Sequence, residues 1–373
     1  MSSEIVKEIE SQLAKVSDPE LHRPITELRM VEQIEFASGT AKISLLLTIS
    51  GCPMRDRLTK DVTEAVLKVP QVTNVEIQFG VMNDEQRDFV KKLIRGGREK
   101  FIPFAQPDSL TRVIGIASGK GGVGKSSVTV NLAVALAMRG FKVGLLDSDV
   151  YGHSIPRALG VEGKRPTAID QTFIPIESYG VKTVSIEMFK PDRADPVAYR
   201  GPLLHRVLEQ LLSDAYWGDL DFLLLDLPPG TGDIAISLGQ LIPNSEIIVV
   251  TTPQVAAAEV AERAGRIAHQ LKQQLIGVIE NMSPYEELGK KVSLFGEGGG
   301  EETAKRLSNL VGADVPLLGN IPFDISLREG GDAGRPVVHE IPESPAAKEI
   351  EKVIDQLLVR KKSLVGVRLG LST

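Results

Sequence analysis

The amino-acid sequence predicts an α/β fold, with a parallel-sheet domain preceded by a smaller α+β domain. Three observations lead to this prediction. From Arg112 onward, short apolar runs alternate with helical stretches, which is typical of a parallel sheet with crossover helices. A glycine-rich loop joins the first of these runs to an apolar helical segment. The chain has 373 residues, a length that accommodates two domains.

The elements follow from hydrophobic periodicity. In the first domain we predict helices over 2–16, 56–69 and 83–94 and strands over 40–49 and 72–79. In the second we predict strands over 113–117, 142–146, 182–186, 222–226, 246–251, 275–280 and 316–320. The segment 96–110 contains two glycines and two prolines and reads as a linker. The predicted organisation is therefore 1–95, linker 96–110, 111–358 and a tail 359–373.

Composition narrows the functional classes. No apolar run approaches the ~20 residues of a membrane span, and the acidic, amphipathic N-terminus is unlike a secretory signal. The net charge of −6 disfavours a large nucleic-acid interface. Cys52 is the single cysteine, which excludes an intrachain disulfide and a zinc site built from several cysteines. We therefore expect a cytoplasmic protein that binds neither nucleic acid nor membrane.

The loop GKGGVGKSS, 119–127, has the strand, glycine loop and helix order of a P-loop. Its glycines let successive N–H groups point at phosphate oxygens, and the following helix N-terminus favours negative charge. Lys125 is expected to reach the β- and γ-phosphates and Ser126 to bind Mg²⁺. The complete spacing favours this interpretation over a glycine-rich turn without a ligand. The residues predicted to contact the nucleotide are Gly119, Gly121, Gly122, Val123, Gly124, Lys125, Ser126 and Ser127.

Acidic residues follow two further predicted strands. Asp147 and Asp149 end one strand, where carboxylates would face the nucleotide crevice. We predict that Asp147 holds the Mg²⁺ hydration shell and that Asp149 orients the attacking water, the alternative being a solvated turn. Asp226 ends the run FLLLD and is predicted to bind Mg²⁺ through water. The following segment 228–233 suits a loop that senses the γ-phosphate.

The form KGGVGKS, with its additional Lys120, resembles the deviant Walker A motif of the MinD/ParA/Mrp group of dimerising ATPases. That resemblance implies a homodimer in which Lys120 crosses to the partner's nucleotide, whereas the alternative is a solvated loop lysine. It also implies that Asn281 binds the adenine edge and that Pro322 flanks the ring. The chain has no NKxD sequence of the guanine-reading type, so ATP is favoured over GTP.

The segments DLPPGTGD, DSDVYGHSIP, ENMS and FGEGGG together resemble the Mrp/ApbC branch over residues 111–358. The segments Asp18-Pro19-Glu20-Leu21 and SGCP, 50–53, resemble a small SufT/PaaD-like domain associated with iron–sulfur maturation. The resemblance implies a slow, switch-type ATPase that carries iron–sulfur clusters to apoproteins or assembly factors. Alternatives are a positioning or regulatory ATPase of the MinD/ParA kind and a cluster-free scaffold descended from a carrier.

The chain departs from the family pattern in its cysteines. Typical carriers have a CxxC shortly after ENMS, but 280–300 contains no cysteine here, so a homodimer would contain only two thiols, both Cys52. Two interpretations of Cys52 remain open, an inert thiol in a turn and a transient cluster ligand.

The segment from Glu349 has one apolar helical face, which we expect to dock on the domain core and not on a membrane.

Overall fold

The computed structural model divides the chain into two units. The first comprises Met1–Phe101 and Thr167–Ile174, and the second comprises Ile102–Pro166 and Pro175–Thr373. The structure describes residues 2–48, 54–94, 101–106, 108–149, 152, 154–169, 172–190 and 201–359. Cys52, part of the predicted linker (96–100) and the end of the tail (360–373) lie outside the described residues.

The secondary structure of the described residues alternates between strands and helices along most of the chain. The strands are β1 (Val31–Ala37), β2 (Thr40–Leu47), β3 (Asn74–Val81), β4 (Arg112–Ser118), β5 (Val143–Asp147), β6 (Thr167–Ile169), β7 (Thr172–Ile174), β8 (Ile176–Ser178), β9 (Val181–Ser185), β10 (Phe222–Asp226), β11 (Glu246–Thr251), β12 (Gln274–Ser283), β13 (Tyr285–Glu287), β14 (Lys290–Val292) and β15 (Leu317–Pro322). The helices are α1 (Ser2–Leu13), α2 (Arg55–Val66), α3 (Asp84–Ile94), α4 (Lys125–Met138), α5 (Ile155–Ala158), α6 (Gly201–Ser213), α7 (Asp233–Leu241), α8 (Val255–Gln270), α9 (Gly299–Val311), α10 (Ile325–Ala333), α11 (Val337–Glu340) and α12 (Pro345–Val359).

The first unit contains a three-stranded sheet in the order β1-β2-β3. β1 and β2 are antiparallel, whereas β2 and β3 are parallel. The short hairpin β6–β7 also belongs to this unit, although it lies far along the chain from β3. Within the unit, the Thr167 hydroxyl donates to Glu20 Oε1 at 2.7 Å. A segment from the middle of the second domain's sequence thus completes the first unit.

The second unit is built on an eight-stranded sheet in the order β15-β12-β11-β4-β10-β5-β9-β8. Its pairs are parallel except β8–β9. Because β4 lies between β10 and β11, the loop after it shares one sheet edge with the ends of both neighbours. Helix α4 is buried along most of its length and belongs to one apolar cluster with α12.

The predicted fold class is confirmed, and a strand lies at each of the seven positions expected in the second domain. The apolar face of the C-terminal helix is buried in the core, as expected, through Ile350, Val353, Ile354 and Leu357. The elements missed by periodicity are short or charged. β1, VEQIEFA, alternates charged and apolar residues at the edge of its sheet, and β6, β7, β8, β13 and β14 have three residues each.

None of the helices in the described part of the chain is long and apolar enough to cross a membrane.

An ion pair is buried at the amino end of the sheet. Arg112 Nε donates to Glu246 Oε2 at 2.5 Å, and Arg112 Nη1 donates to the Leu357 carbonyl at 2.6 Å. Both charged side chains are at most 10% exposed. This buried ion pair joins β4 and β11 and links them to the end of α12.

We expect Arg112→Met to destabilise the second unit by about 3 kcal/mol, because Glu246 would remain buried without its cation. The double variant Arg112→Met/Glu246→Met should recover most of that loss. Thermal unfolding followed by fluorescence of Trp217, the single tryptophan, which is 2% exposed, measures both. A double variant no more stable than Arg112→Met would contradict this account.

Candidate functional site

The glycine-rich loop lies at the carboxyl end of β4 and leads directly into α4. Gly122 and Gly124 have φ of +78° and +77°, values that L side chains rarely adopt. A Cβ at Gly124 would lie 2.2 Å from Asn281 Nδ2, whereas one at Gly122 would meet nothing within 4 Å. The glycines therefore serve two purposes: both permit the loop conformation, and Gly124 also leaves room for Asn281.

Lys125, Ser126 and Asp226 form one polar network beneath this loop. Lys125 Nζ lies 2.7 Å from Asp226 Oδ2, and their side chains are 6% and 1% exposed. The Ser126 hydroxyl donates to the same carboxylate oxygen at 2.7 Å. The structure thus brings together the lysine predicted to bind phosphate, the hydroxyl predicted to bind Mg²⁺ and the strand-end carboxylate.

Thr129 was missed by the sequence analysis. Its hydroxyl donates to Asp226 Oδ1 at 2.8 Å, so both oxygens of that carboxylate are hydrogen-bonded. Thr129 is fully buried and lies four residues after Lys125, one turn further along α4. The sequence does contain a signal for this role, namely a hydroxyl-bearing residue four positions after the loop lysine.

Asp147 lies directly opposite Asp226 in the register of the parallel strands β5 and β10. Its carboxylate accepts from the Ser185 hydroxyl at 3.0 Å and from the Asp149 amide at 3.2 Å. Burial raises the pKa of Asp147 well above its ordinary value, and the neighbouring Asp226 raises it further, while Ser185 and Lys125 act in the opposite direction. Charge on Asp147 is therefore unfavourable unless a cation compensates it.

Asp149 and Lys120 lie nearer the surface. Asp149 is half-buried and accepts from the Gly152 amide at 2.9 Å. Lys120 is exposed, and its Nζ donates to Gln254 Oε1 at 2.9 Å. The roles assigned to them, orienting water and acting across a dimer, remain predictions.

A cavity of about 320 Å³ adjoins the loop, and Gly124, Ser127, Asn281, Pro322 and Phe323 line part of it. Asn281 Nδ2 donates to the Val123 carbonyl at 2.9 Å. Its Oδ1 is buried and makes no hydrogen bond to the described residues. Asn281 therefore lines the cavity while this oxygen lies below its surface, and the adenine contact assigned to Asn281 remains a prediction.

The ENMS and FGEGGG segments meet at a helix end. Glu280 is 4% exposed and accepts from the Ser283 hydroxyl and the Gly300 amide, each at 2.7 Å. Gly300 is in the first turn of α9, where a carboxylate compensates the free N–H groups. Glu280 therefore anchors α9 against β12, a structural role that the sequence analysis did not foresee.

The Asp18-Pro19-Glu20-Leu21 segment forms a turn in the first unit. Asp18 Oδ1 accepts from the Glu20 and Leu21 amides at 2.9 and 2.8 Å. Burial raises the pKa of both Asp18 and Glu20, and hydrogen bonds partly offset the effect. Within the described ranges, no group of three or more His, Cys, Asp or Glu side chains is arranged to hold a metal ion.

The residues at the loop fit a magnesium nucleotide. Ser126, Asp147 and Asp226 present hydroxyl and carboxylate oxygens, the donors that Mg²⁺ prefers. The raised pKa of Asp147 also indicates a site where added positive charge would be favourable. The glycine loop at the N-terminus of α4 supplies amide donors for phosphates.

Comparisons with known proteins are consistent with this site. Residues 109–358 match the family model described as NUBPL iron-transfer P-loop NTPase, and residues 7–77 match one described as iron-sulfur cluster assembly protein. The iron-sulfur cluster carrier protein of Mycobacterium bovis is 55% identical over 366 residues, covering 97% of this chain and 96% of that protein. The carrier protein of Deinococcus radiodurans is 40% identical over 344 residues, covering 91% of each.

Among solved structures, a nucleotide-binding protein of Archaeoglobus fulgidus in complex with ADP is 34% identical, with a TM-score of 0.53. The match covers 66% of this chain and 96% of that one. The family-model match over 109–358 includes the loop and its carboxylates.

We expect Asp147→Asn to stabilise the nucleotide-free protein at neutral pH by on the order of 1 kcal/mol, since it removes an unfavourably buried charge. The folded pKa is raised, so ionisation disfavours the folded state at pH values above the ordinary 3.8 of this group. The gain should therefore shrink as the pH falls toward that value. Thermal unfolding between pH 4.5 and 7.5 tests this, with the half-buried Asp149→Asn as control. Equal destabilisation by Asp147→Asn at every pH would refute it.

We also expect Gly124→Ala to be more harmful than Gly122→Ala. Both introduce a side chain at positive φ, at a cost of about 1–2 kcal/mol, but only Gly124→Ala collides with Asn281. Thermal unfolding should show the larger loss for Gly124→Ala, and Asn281→Ala should relieve the excess. Equal losses for the two glycine variants would mean that the close approach has no energetic consequence.

Proposed function

This chain belongs to the family of iron-transfer P-loop NTPases that includes the iron-sulfur cluster carrier proteins, and we propose that it delivers iron–sulfur clusters to apoproteins in a cycle driven by slow ATP hydrolysis. The observation that carries the proposal is the match of both units to carrier proteins at 55% identity over 97% of the chain. The polar network of Lys125, Ser126 and Asp226 supports the nucleotide part.

In this proposal the loop amides of 119–127 hold the phosphates, and Lys125 exchanges its contact with Asp226 for the β- and γ-phosphates. Ser126 would bind Mg²⁺ directly, with Asp147 and Asp226 acting through water. When bound, Mg²⁺ neutralises charge that develops on the triphosphate. Because Lys125 and Ser126 both contact Asp226 in the described structure, nucleotide binding would rearrange all three together.

Hydrolysis requires a positioned water and compensation of the transition-state charge. Asp149, half-buried beside Asp147, is the residue we assign to orienting the water. Lys120, exposed on the surface, is assigned to the nucleotide of a second copy, which makes the functional form a homodimer. Asn281 and Pro322 would hold the adenine in the cavity that both line.

The segment 228–233 is suited to report the nucleotide state. The Gly230 amide donates to the Ser118 carbonyl at 2.8 Å, which ties the segment to the residue just before the loop. A movement of the glycine-rich loop would therefore displace the segment 228–233 through this backbone hydrogen bond. This hydrogen bond supports a switch-type cycle, in which slow ATP hydrolysis serves to change the conformation of the protein.

The cluster is cargo in this scheme and not a resident cofactor. With one cysteine per chain, the transient ligand we assign is Cys52, with a partner protein or a small thiol completing the coordination. The recipients would be apo iron–sulfur proteins or assembly factors. A cytoplasmic location fits this role, because a reducing compartment keeps a thiol such as Cys52 available as a ligand.

Lys120→Ala should reduce kcat by on the order of 10³ with little change in nucleotide affinity, because a charge supplied across a dimer acts in the transition state. Lys125→Ala should instead weaken nucleotide binding itself. Steady-state ATPase rates and calorimetric binding of ADP separate these effects. A Lys120→Ala variant with the wild-type rate would exclude action across a dimer.

Anaerobic reconstitution with iron and sulfide should give the full-length protein a visible absorbance band that Cys52→Ser lacks. The loaded protein should activate an apo-ferredoxin. ATPase activity should persist in Cys52→Ser, since Cys52 belongs to none of the sequence motifs assigned to the nucleotide, and Lys125→Ala should still take up iron. If neither wild type nor Cys52→Ser takes up iron while both hydrolyse ATP, the scaffold or positioning alternatives replace this proposal.

A further inference from the structure

The main chain of Lys120 is held firmly although its side chain is exposed. A Cβ at the preceding residue, Gly119, would lie 2.4 Å from the backbone carbon of Val260 and 2.5 Å from the Ala261 nitrogen. Only glycine allows the loop to approach α8 so closely. The Ser118 hydroxyl also donates to the Lys120 carbonyl at 3.1 Å. The origin of the lysine side chain is therefore fixed relative to α8.

Gln254, immediately before α8, is held just as firmly. Its carbonyl accepts from the Ala257 amide at 2.8 Å in the first turn of the helix. The preceding Pro253 carbonyl accepts from the Gly299 amide at 3.0 Å, and Thr252 and Pro253 are buried. Gln254 itself is exposed, so a rigid turn presents its amide to the surface.

The two side chains meet at 2.9 Å, Lys120 Nζ donating to Gln254 Oε1. Among the described residues, Gln254 is the one hydrogen-bond partner of the Lys120 ammonium. An exposed bond between an ammonium and a neutral amide is weak compared with a buried ion pair. The contact is strong enough to bias the direction of a flexible side chain and weak enough to exchange.

The surface around this contact is apolar as well as polar. Val255, next to Gln254, is 56% exposed, and Pro229 of the segment 228–233 is also exposed and lies beside Gly121. Exposed apolar side chains beside an exposed ammonium are what a second copy of the chain would cover on dimerisation. The lysine that we assign to the partner's nucleotide therefore lies within a surface suited to that contact.

We propose that Gln254 is a positioning residue that retains Lys120 on its own subunit, so that dimerisation around ATP must exchange this amide for the partner's phosphates. The inference rests on the proposed action of Lys120 across a dimer and adds the residue that regulates its availability. Gln254 touches no substrate in this scheme. It affects the assembly of the active dimer and not the chemical step.

The test is a matched pair of variants at Gln254. Gln254→Ala removes the acceptor, whereas Gln254→Glu keeps the shape and replaces the amide by a carboxylate that holds an ammonium more strongly. The protein concentration at half-maximal ATPase rate per protomer should fall about threefold to fivefold in Gln254→Ala and rise by a similar factor in Gln254→Glu. The rate at saturating protein concentration should stay unchanged for Gln254→Ala.

The same variants in a Lys120→Ala background show whether the effect passes through the lysine. Dimerisation in a non-hydrolysable ATP analogue, measured by sedimentation, should then be identical with Gln, Ala or Glu at 254. Shifts that persist without Lys120, or equal shifts for both Gln254 variants, would overturn the inference. Wild-type behaviour of both variants, with Lys120→Ala still inactive, would overturn it and leave the proposed function intact. A Lys120→Ala variant of normal activity would instead refute the proposed action across the dimer.

Discussion

The nucleotide site depends on a shortage of positive charge between two adjacent strands. Asp147 and Asp226 end parallel neighbours in direct register, and Lys125 is the cation that pairs with Asp226. Burial makes a second unpaired carboxylate costly, which is why the pKa of Asp147 rises. The fold therefore holds an arrangement that becomes balanced when Asp147 takes up a proton or when another cation enters. This electrostatic imbalance explains why a protein would keep two acids in its interior, at the edge of the sheet where a magnesium nucleotide fits.

Features of the site that depend on residues close together in the sequence could be predicted, whereas those that depend on distant residues could not. The loop, its lysine and the strand-end acids are local patterns, because the order of strand, loop and helix is written in consecutive residues. Their convergence followed from the rule that parallel strands end at a common edge. The fold class and the seven principal strands were predictable for the same reason.

Contacts that depend on the exact separation of two elements were not predictable. Asn281 was expected to face the base, yet nothing in the local sequence indicates that its amide also bonds to the Val123 carbonyl beneath Gly124. The anchoring of α9 by Glu280 and the approach of Gly119 to α8 are of the same kind. In each case a motif residue is constrained by packing as well as by chemistry, and periodicity reports neither partner nor distance.

The hairpin β6–β7 determines how the chain can be divided into fragments. The two units are not consecutive segments, since Thr167–Ile174 belongs with Met1–Phe101 while the residues on either side of it belong to the other unit. A gene fragment that begins after residue 101 would carry the hairpin away from Glu20, and one that ends there would leave Glu20 without Thr167. The first unit is therefore assembled from two stretches of sequence on either side of the glycine-rich loop, and no single cut in the chain releases it whole.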